Sequence, residues 1–396
     1  MQCKQQKGEM YLMSKNKYIQ EEILEVINDK MFKDHYNPSE VLQTNTPYIL
    51  SYGGRNIGKT FAWLIVILAL WQEKDYQSCI VRRMAEPLTS VKASTMFDKV
   101  FSLGIVPNKK EYDGIAYRQR KFCGYWIDDK GSKKYDEPFC FTYALSSSIE
   151  MNKGVLDIKN LGIMFFDEAL TADNYLNDEF SRFQNAVSSI VREQTYACCV
   201  LCANTVSWVA PYFREFCIPD VRKIKQGDIK VYQCLNETAV TVEYCNDTIT
   251  KNRKKKLTDR RFFGFKSGTS KMITSGKWEI NSYQHLSQDM LKDRERELLS
   301  RDCYVVYADE ICCLEIYNIE DFGLICNVRP CNDFDKGTRI YIDSDITDFR
   351  YRKYPQSDDK IDNLIWWKLY KKNKFYYADN LCGEVIKKYL QFCRMI

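Results

Sequence analysis

The run Gly53, Gly54, Arg55, Asn56, Ile57, Gly58, Lys59, Thr60 matches G-x-x-x-x-G-K-[ST] at every fixed position. Few patterns restrict a chain as tightly. The segment before it, Pro47 to Ser51, reads as a short buried strand. The segment after it, Phe61 to Leu70, reads as a helix so apolar that it must be core. Strand, glycine loop and helix in that order make a phosphate-binding loop. Its backbone N–H groups and the helix N-terminus face the β- and γ-phosphates of ATP. Lys59 supplies a point charge there, and the Thr60 hydroxyl is a ligand for Mg²⁺.

Composition narrows the rest. The chain has 396 residues, enough for two domains, and ordinary globular proportions of 45% hydrophobic and 28% charged residues. A net charge of +5 is mild, so any nucleic-acid contact must come from local patches. The 17 cysteines sit inside apolar runs, as at Cys198-Cys199 and Cys312-Cys313, and read as small buried hydrophobes of a reducing compartment. Cys199 and Cys202 form a C-x-x-C with no second pair at zinc-finger distance. There are only two histidines, His35 and His285, which argues against a zinc site and against His-based acid–base chemistry. No leader-like apolar stretch opens the chain, and its longest apolar run is too short to span a membrane. The expectation is a soluble cytoplasmic protein.

Residues 1–40 form an N-terminal extension carrying one amphipathic helix, with Ile19, Ile23, Leu24, Ile27 and Met31 at helical spacing. From 41 to 220, strands at 47–52, 77–82, 139–145, 161–166 and 198–204 alternate with helices at 59–72, 87–102, 177–192 and 210–217. That alternation predicts a parallel sheet with helices on both faces. A hairpin at Tyr117–Trp126 interrupts it. Residues 221–300 turn polar and read as a linker or lid subdomain. Residues 301–396 read as a second, small α/β domain: strands at 303–308, 311–317, 322–328 and 338–343, then a mixed helical end.

The apolar strand Leu161–Phe166 ends in Asp167-Glu168. The first acid of such a pair holds the water shell of Mg²⁺; the second, Glu168, polarises the attacking water. An acid pair downstream of a phosphate loop, with strand–helix units between, points to ATP hydrolysis. The adjacent glutamate favours the additional-strand class of P-loop ATPases, in which another strand separates the phosphate-loop strand from the Asp-Glu strand. Cys198–Cys202 is that strand, which puts Asn204 where it can sense the γ-phosphate or the attacking water. Phosphoryl transfer also needs a cation on the outer face of the γ-phosphate. Arg192, Arg82-Arg83 and Arg55 are all eligible, and the residues alone do not rank them.

These motifs, with Ile80-Val-Arg-Arg83, Ile190-Val-Arg-Glu193 and the stretch Cys202–Phe213 followed by Pro219-Asp-Val221, resemble the DNA-packaging ATPases of small tailed phages, the phi-29-like branch related to terminase large subunits. The resemblance covers most of the chain from about residue 36. It implies an ATP-driven ring motor, a homopentamer on the portal of an empty capsid, that moves double-stranded DNA inward in the cytoplasm of an infected bacterium. In this branch a packaging RNA can join the complex. The family's trans-acting arginine falls on Arg192. A family basic residue falls on Ala85 and so is missing here; Lys153 lies near another.

In terminases the second domain is an RNase H-like nuclease whose clustered acids hold two metals. Asp302, Asp309, Glu310, Asp343 and Asp345 are eligible here, but no acid stands within Tyr304–Tyr307. The expectation is a degenerate, non-cleaving RNase H-like domain, with an active nuclease as the alternative and a P-loop phosphotransferase or ATP-gated structural module as a reading from another class. Lys251, Arg253, Lys254, Lys255, Lys256, Arg260 and Arg261 fit sequence-blind contact with a phosphate backbone, and equally a solvated linker.

Overall fold

The computed structural model describes residues 18–33, 35–147, 158–172, 175–219, 221–234, 238–246, 261–262, 264–266, 268–275, 277–278, 283–286, 296–336, 338–343, 351–352, 364–393 and 395. Helix α1 (Gln20–Val26) opens them. The first sheet is built from β1 (Tyr48–Gly53), β2 (Gln77–Arg82), β3 (Gly114–Arg118), β4 (Lys121–Ile127), β5 (Lys133–Ala144), β6 (Leu161–Asp167), β7 (Cys198–Asn204), β8 (Ile229–Gln233) and β9 (Ala239–Tyr244). Their order across the sheet is β3-β4-β5-β2-β6-β7-β1-β9-β8. Strands β5, β2, β6, β7, β1 and β9 are parallel. Antiparallel pairs close both edges. Strand β7 lies between β1 and β6, the arrangement expected of the additional-strand class.

Helix α2 (Lys59–Lys74) follows the phosphate loop. Ala62 through Gln72 are all buried, because the helix lies against the sheet and is covered in turn by α1. Ile19, Ile23 and Ile27 share its cluster, so α1 docks on its own domain. Each such isoleucine contributes roughly 1.5–3 kcal/mol of burial. The opposite face of the sheet carries α3 (Glu179–Val191), which buries Phe183, Ala186 and Ile190. The hairpin β3–β4 turns at Gln119 and Arg120, both with positive φ, as a two-residue type I′ turn requires.

Three expectations change. The helix expected over 87–102 is broken into a 3₁₀ turn, Glu86–Leu88, and short helices Ser90–Ala93 and Asp98–Ser102. Pro87 starts it. The Ser94 hydroxyl then donates to the Val91 carbonyl at 3.3 Å, the local competition that ends helices rich in Ser and Thr. The boundary at 220 falls too early: β9 pairs with β1 and β8 with β9. Val240, Thr241 and Val242 are β-branched and fully buried, but charged neighbours hide them in the sequence. The parallel sheet is mixed at its edges, since β8 and the β3–β4 hairpin run antiparallel. Beyond, Trp278 packs on Tyr52 with ring centroids 5.1 Å apart. Tyr283 instead meets Tyr377 of the second sheet at 5.3 Å.

That second sheet holds β10 (Arg296–Tyr307), β11 (Glu310–Ile319), β12 (Gly323–Pro330), β13 (Arg339–Ile342), β14 (Tyr351–Arg352) and β15 (Phe375–Tyr377), in the order β14-β13-β10-β11-β12-β15. It is an antiparallel meander with parallel additions at both edges, covered by α4 (Ile365–Lys371) and α5 (Asn380–Phe392). None of the helices among the described residues is long and apolar enough to cross a membrane.

Candidate active site at the carboxyl edge of the first sheet

Parallel strands deliver their C-terminal ends to one edge, where ligands of open α/β sheets bind. Here that edge gathers Gly53, Arg82, Asp167 and Asn204, the last residues of β1, β2, β6 and β7. Gly53 stands in register with Asn204, and Asp167 with Cys202. The cleft between them is lined by Asn56, Lys59, Thr60, Asp167, Glu168 and Asn204, with His35, Phe61 and Lys99 at its mouth.

Two glycines of the loop have no substitute. Gly58 has φ +91°, and a Cβ there would lie 2.8 Å from His35 Nδ1; at Gly53 a Cβ would meet Cys245 at 2.9 Å. Lys59 Nζ, only 6% exposed, donates to the carbonyls of Gly54 at 2.9 Å and Gly53 at 3.3 Å. The Thr60 hydroxyl donates to Asp167 Oδ1 at 2.9 Å. Thr60 and Asp167 therefore present a hydroxyl and a carboxylate side by side, the hard oxygen donors that suit Mg²⁺ beside a triphosphate. Arg55 is exposed on the loop.

Burial pushes the Asp167 carboxyl above its ordinary value, while Arg82 and the Thr60 hydroxyl pull the other way. Arg82 bridges both acids, 2.6 Å from Asp167 Oδ2 and 2.9 Å from Glu168 Oε2. Glu168 turns out of the strand with φ +64°, and its side chain is 66% exposed. A glutamate in the left-handed region is strained. That turn is what aims the carboxylate into the cleft rather than along the sheet.

Arg83 does different work. It pairs with both oxygens of Glu179 at 2.7 and 2.9 Å and donates to the carbonyls of Glu168 and Ala169 at 3.1 and 2.7 Å. It is a brace behind the acid pair. Arg192 ends α3 with φ 47° and donates to Ser189 O at 3.1 Å. The helix begins at Glu179, which meets Arg83 just beyond the end of β2, and its 13 residues carry Arg192 roughly 20 Å onward; Gln194, two residues later, meets the N–H of Leu161 at the opposite end of β6. Arg192 is exposed and reaches no part of its own cleft.

His35, Phe61 and Lys99 had escaped sequence reasoning. The His35 and Phe61 rings lie 4.3 Å apart, and Lys99 Nζ is 5.4 Å from the Phe61 ring. The only signal for them was the apolar residue directly after Thr60. Cys199 and Cys202 belong to clusters on opposite faces of the sheet, so they cannot share a metal.

In the second domain two of the eligible acids, Asp309 and Asp343, lie near each other and near Arg214. Asp343 accepts from Arg214 at 2.9 Å and from the Ala308 N–H at 3.1 Å. Glu310 faces Arg222 at 3.9 Å. Burial raises the carboxyls of Asp302 and Asp309. Among the described residues no three His, Cys, Asp or Glu side chains are grouped to hold a metal ion. Arg261 is exposed; Lys251, Arg253, Lys254, Lys255, Lys256, Arg260, Lys153 and Asp345 lie outside the described residues.

Comparison with known proteins agrees with this fold. The DNA packaging proteins of Bacillus phage PZA and Bacillus phage phi29 are each 25% identical over 192 residues, 48% of this chain and 52% of theirs. The chain thus spans about half the length of the curated relatives it matches. In fold it is similar to the bacteriophage Phi-29 viral genome packaging motor assembly, with a TM-score of 0.55 and 18% identity over 91% of this chain and 100% of that one. It is likewise similar to the Phi-28 gp11 DNA packaging motor, with a TM-score of 0.54 and 14% identity over 91% and 98%. The model of the family described as podovirus DNA encapsidation protein (Gp16) matches residues 29–273, more than half of the chain, which belongs to that family.

Proposed function

We propose that this chain is an ATP hydrolase that drives double-stranded viral DNA into a preformed capsid. The observation that carries the reading is the meeting of Lys59, Thr60, Asp167, Glu168 and Asn204 at one sheet edge, with β7 between the other two strands. In this reading the loop amides and Lys59 bind the β- and γ-phosphates. Mg²⁺ held near Thr60 and Asp167 supplies charge neutralisation when bound. Glu168 takes the proton of the attacking water as its oxygen bonds to the γ-phosphorus and the bond to ADP breaks. Asn204 orients that water or the γ-phosphate.

Arg192 serves a neighbouring copy, because its place at the far end of α3 denies it the cleft of its own chain. A ring of copies is the assembly that makes such service possible; five is the number the resemblance implies. The ring works on the portal of the capsid, in the host cytoplasm, and the basic residues 251–261 contact the DNA backbone. The second domain binds partners (DNA, portal or a packaging RNA) without cutting: Asp343, its best-placed acid, is engaged by Arg214.

The test is steady-state ATP hydrolysis with and without linear double-stranded DNA. Glu168→Gln should bind ATP and hydrolyse it about 10²–10⁴-fold more slowly, whereas Lys59→Ala should lose nucleotide binding. Turnover indifferent to Glu168→Gln would refute the assignment.

A further inference from the structure

Glu168 is held by the segment behind it, and that segment is gripped from two domains. From the first sheet, Arg83 takes the carbonyls of Glu168 and Ala169. From the second domain, Lys388 of α5 reaches across and donates to the carbonyls of Thr171 at 3.2 Å and Ala172 at 2.7 Å. Lys388 is only 2% exposed. The two cations flank the ring of Tyr175, with Arg83 Cζ at 5.1 Å and Lys388 Nζ at 5.6 Å from its centroid. The Tyr175 hydroxyl in turn accepts from the Thr171 N–H at 3.3 Å. Four carbonyls of five consecutive residues are thus taken by two cations, one from each domain.

The same helix face continues the contact. Gln391 lies three residues on from Lys388, on the same side of α5. It lines a cavity of about 480 Å³ together with Arg82, Asp167, Glu168 and Thr171. The last helix of the chain is therefore a wall of the space beside the catalytic acids. Burying a lysine without need is costly, and a lysine that only tied the domains together would have no reason to end on the backbone behind Glu168.

We infer that Lys388 is a positioning residue for hydrolysis: it fixes the segment 168–172 so that Glu168 holds its strained, cleft-facing conformation. The second domain is then part of the ATPase site. This rests on the ATPase reading above for its catalytic consequence, but not for the contact itself.

The experiment uses the full chain with Lys388→Met and Lys388→Arg. Three quantities are read: affinity for a fluorescent ATP analogue, the split of kcat against KM, and hydrogen exchange of the amides of residues 169–172 without nucleotide. Lys388→Met should keep its affinity and KM within about twofold, lose about tenfold in kcat, and exchange those amides about tenfold faster, a factor worth about 1.4 kcal/mol. Lys388→Arg, which retains a cationic donor, should restore kcat and protection. A kcat within twofold of wild type in Lys388→Met, or unchanged exchange at 169–172, would overturn the inference. Should Lys388→Met not fold, Lys388→Gln, with a shorter donor, is read by the same criteria. A wild-type chain that binds no nucleotide would defeat the ATPase reading alone, and exchange would still decide whether Lys388 holds the segment.

Discussion

Replacing Arg83 with methionine tests the division of labour between the paired arginines. The structure gives Arg83 a bracing role, and the size of the effect follows from its partners. Glu179 has a fully enclosed side chain, while that of Arg83 is 12% exposed. The pair is bidentate, at 2.7 and 2.9 Å. Without Arg83, Glu179 keeps, among the described residues, the Tyr212 hydroxyl at 2.9 Å and the Leu176 N–H at 2.8 Å. Breaking a buried pair from one side costs about 3–5 kcal/mol, because the surviving charge is left uncompensated. The carbonyls of Glu168 and Ala169 also lose their donor. For a domain of roughly 150–250 residues that cost is a fall of about 6–20 °C in Tm. Scanning calorimetry is the assay, with the unfolding of the first domain followed separately from that of the second. The companion variant Arg83→Met/Glu179→Gln removes the stranded charge and should recover at least half of the loss. A fall below about 2 °C for Arg83→Met would mean that water already compensates Glu179. Strict additivity in the double variant would mean that the two side chains are not coupled. Either result would refute the bracing role and return Arg83 to the set of arginines that could serve the γ-phosphate.

Two further outcomes concern Arg192 and Glu243. Arg192→Ala and Glu168→Gln, each nearly inactive alone because an arginine finger is worth about 10³–10⁵ in rate and the loss of a general base about 10²–10⁴, should regain ATP turnover when mixed, since an Arg192→Ala copy keeps its own acid pair and can take the arginine of a Glu168→Gln neighbour; no recovery in the mixture would place the role of Arg192 in its own chain. Glu243 lies behind the loop in contact with Ser51 at 2.6 Å and with the Tyr36 hydroxyl. Burial raises its carboxyl, against the opposing pull of Ser51, Tyr36, Cys245 and Lys59. Between its unfolded and its raised folded value, the folded chain keeps a proton that the unfolded chain has released, so this contribution to stability is present at low pH and lost as pH rises. The Tm of Glu243→Gln relative to wild type should therefore climb from about pH 4 towards neutrality, and parallel Tm curves would show that Glu243 ionises as an ordinary surface acid.

What the sequence made legible was what local chemistry fixes. The phosphate loop needs glycine at a left-handed position and a lysine at a helix start, so its letters are nearly its structure. The strand β7 shows as an apolar run because both its faces are buried, and the structure places β2 and β7 with the expected ends. The placement of β7 between β1 and β6 followed from the Asp-Glu pair by class, and the register of Gly53 against Asn204 agrees with it. What stayed hidden depends on contacts across long stretches of chain. Strand β9 looks like linker until β1 is beside it. Arg82 and Arg83 are adjacent letters on a strand end, yet they part company because alternate residues of a strand face opposite ways: one meets Asp167 and Glu168, the other meets Glu179, far along the chain. Asp343 has attractive spacing in sequence, but Arg214 takes its carboxylate. Lys388 is one of several lysines near the end of the chain, and only the fold shows that it reaches the backbone just after Glu168. The sequence therefore discloses the loop and the acid pair of the candidate site, whereas Arg83 and Lys388, which grip the backbone after that pair, are visible only in the fold.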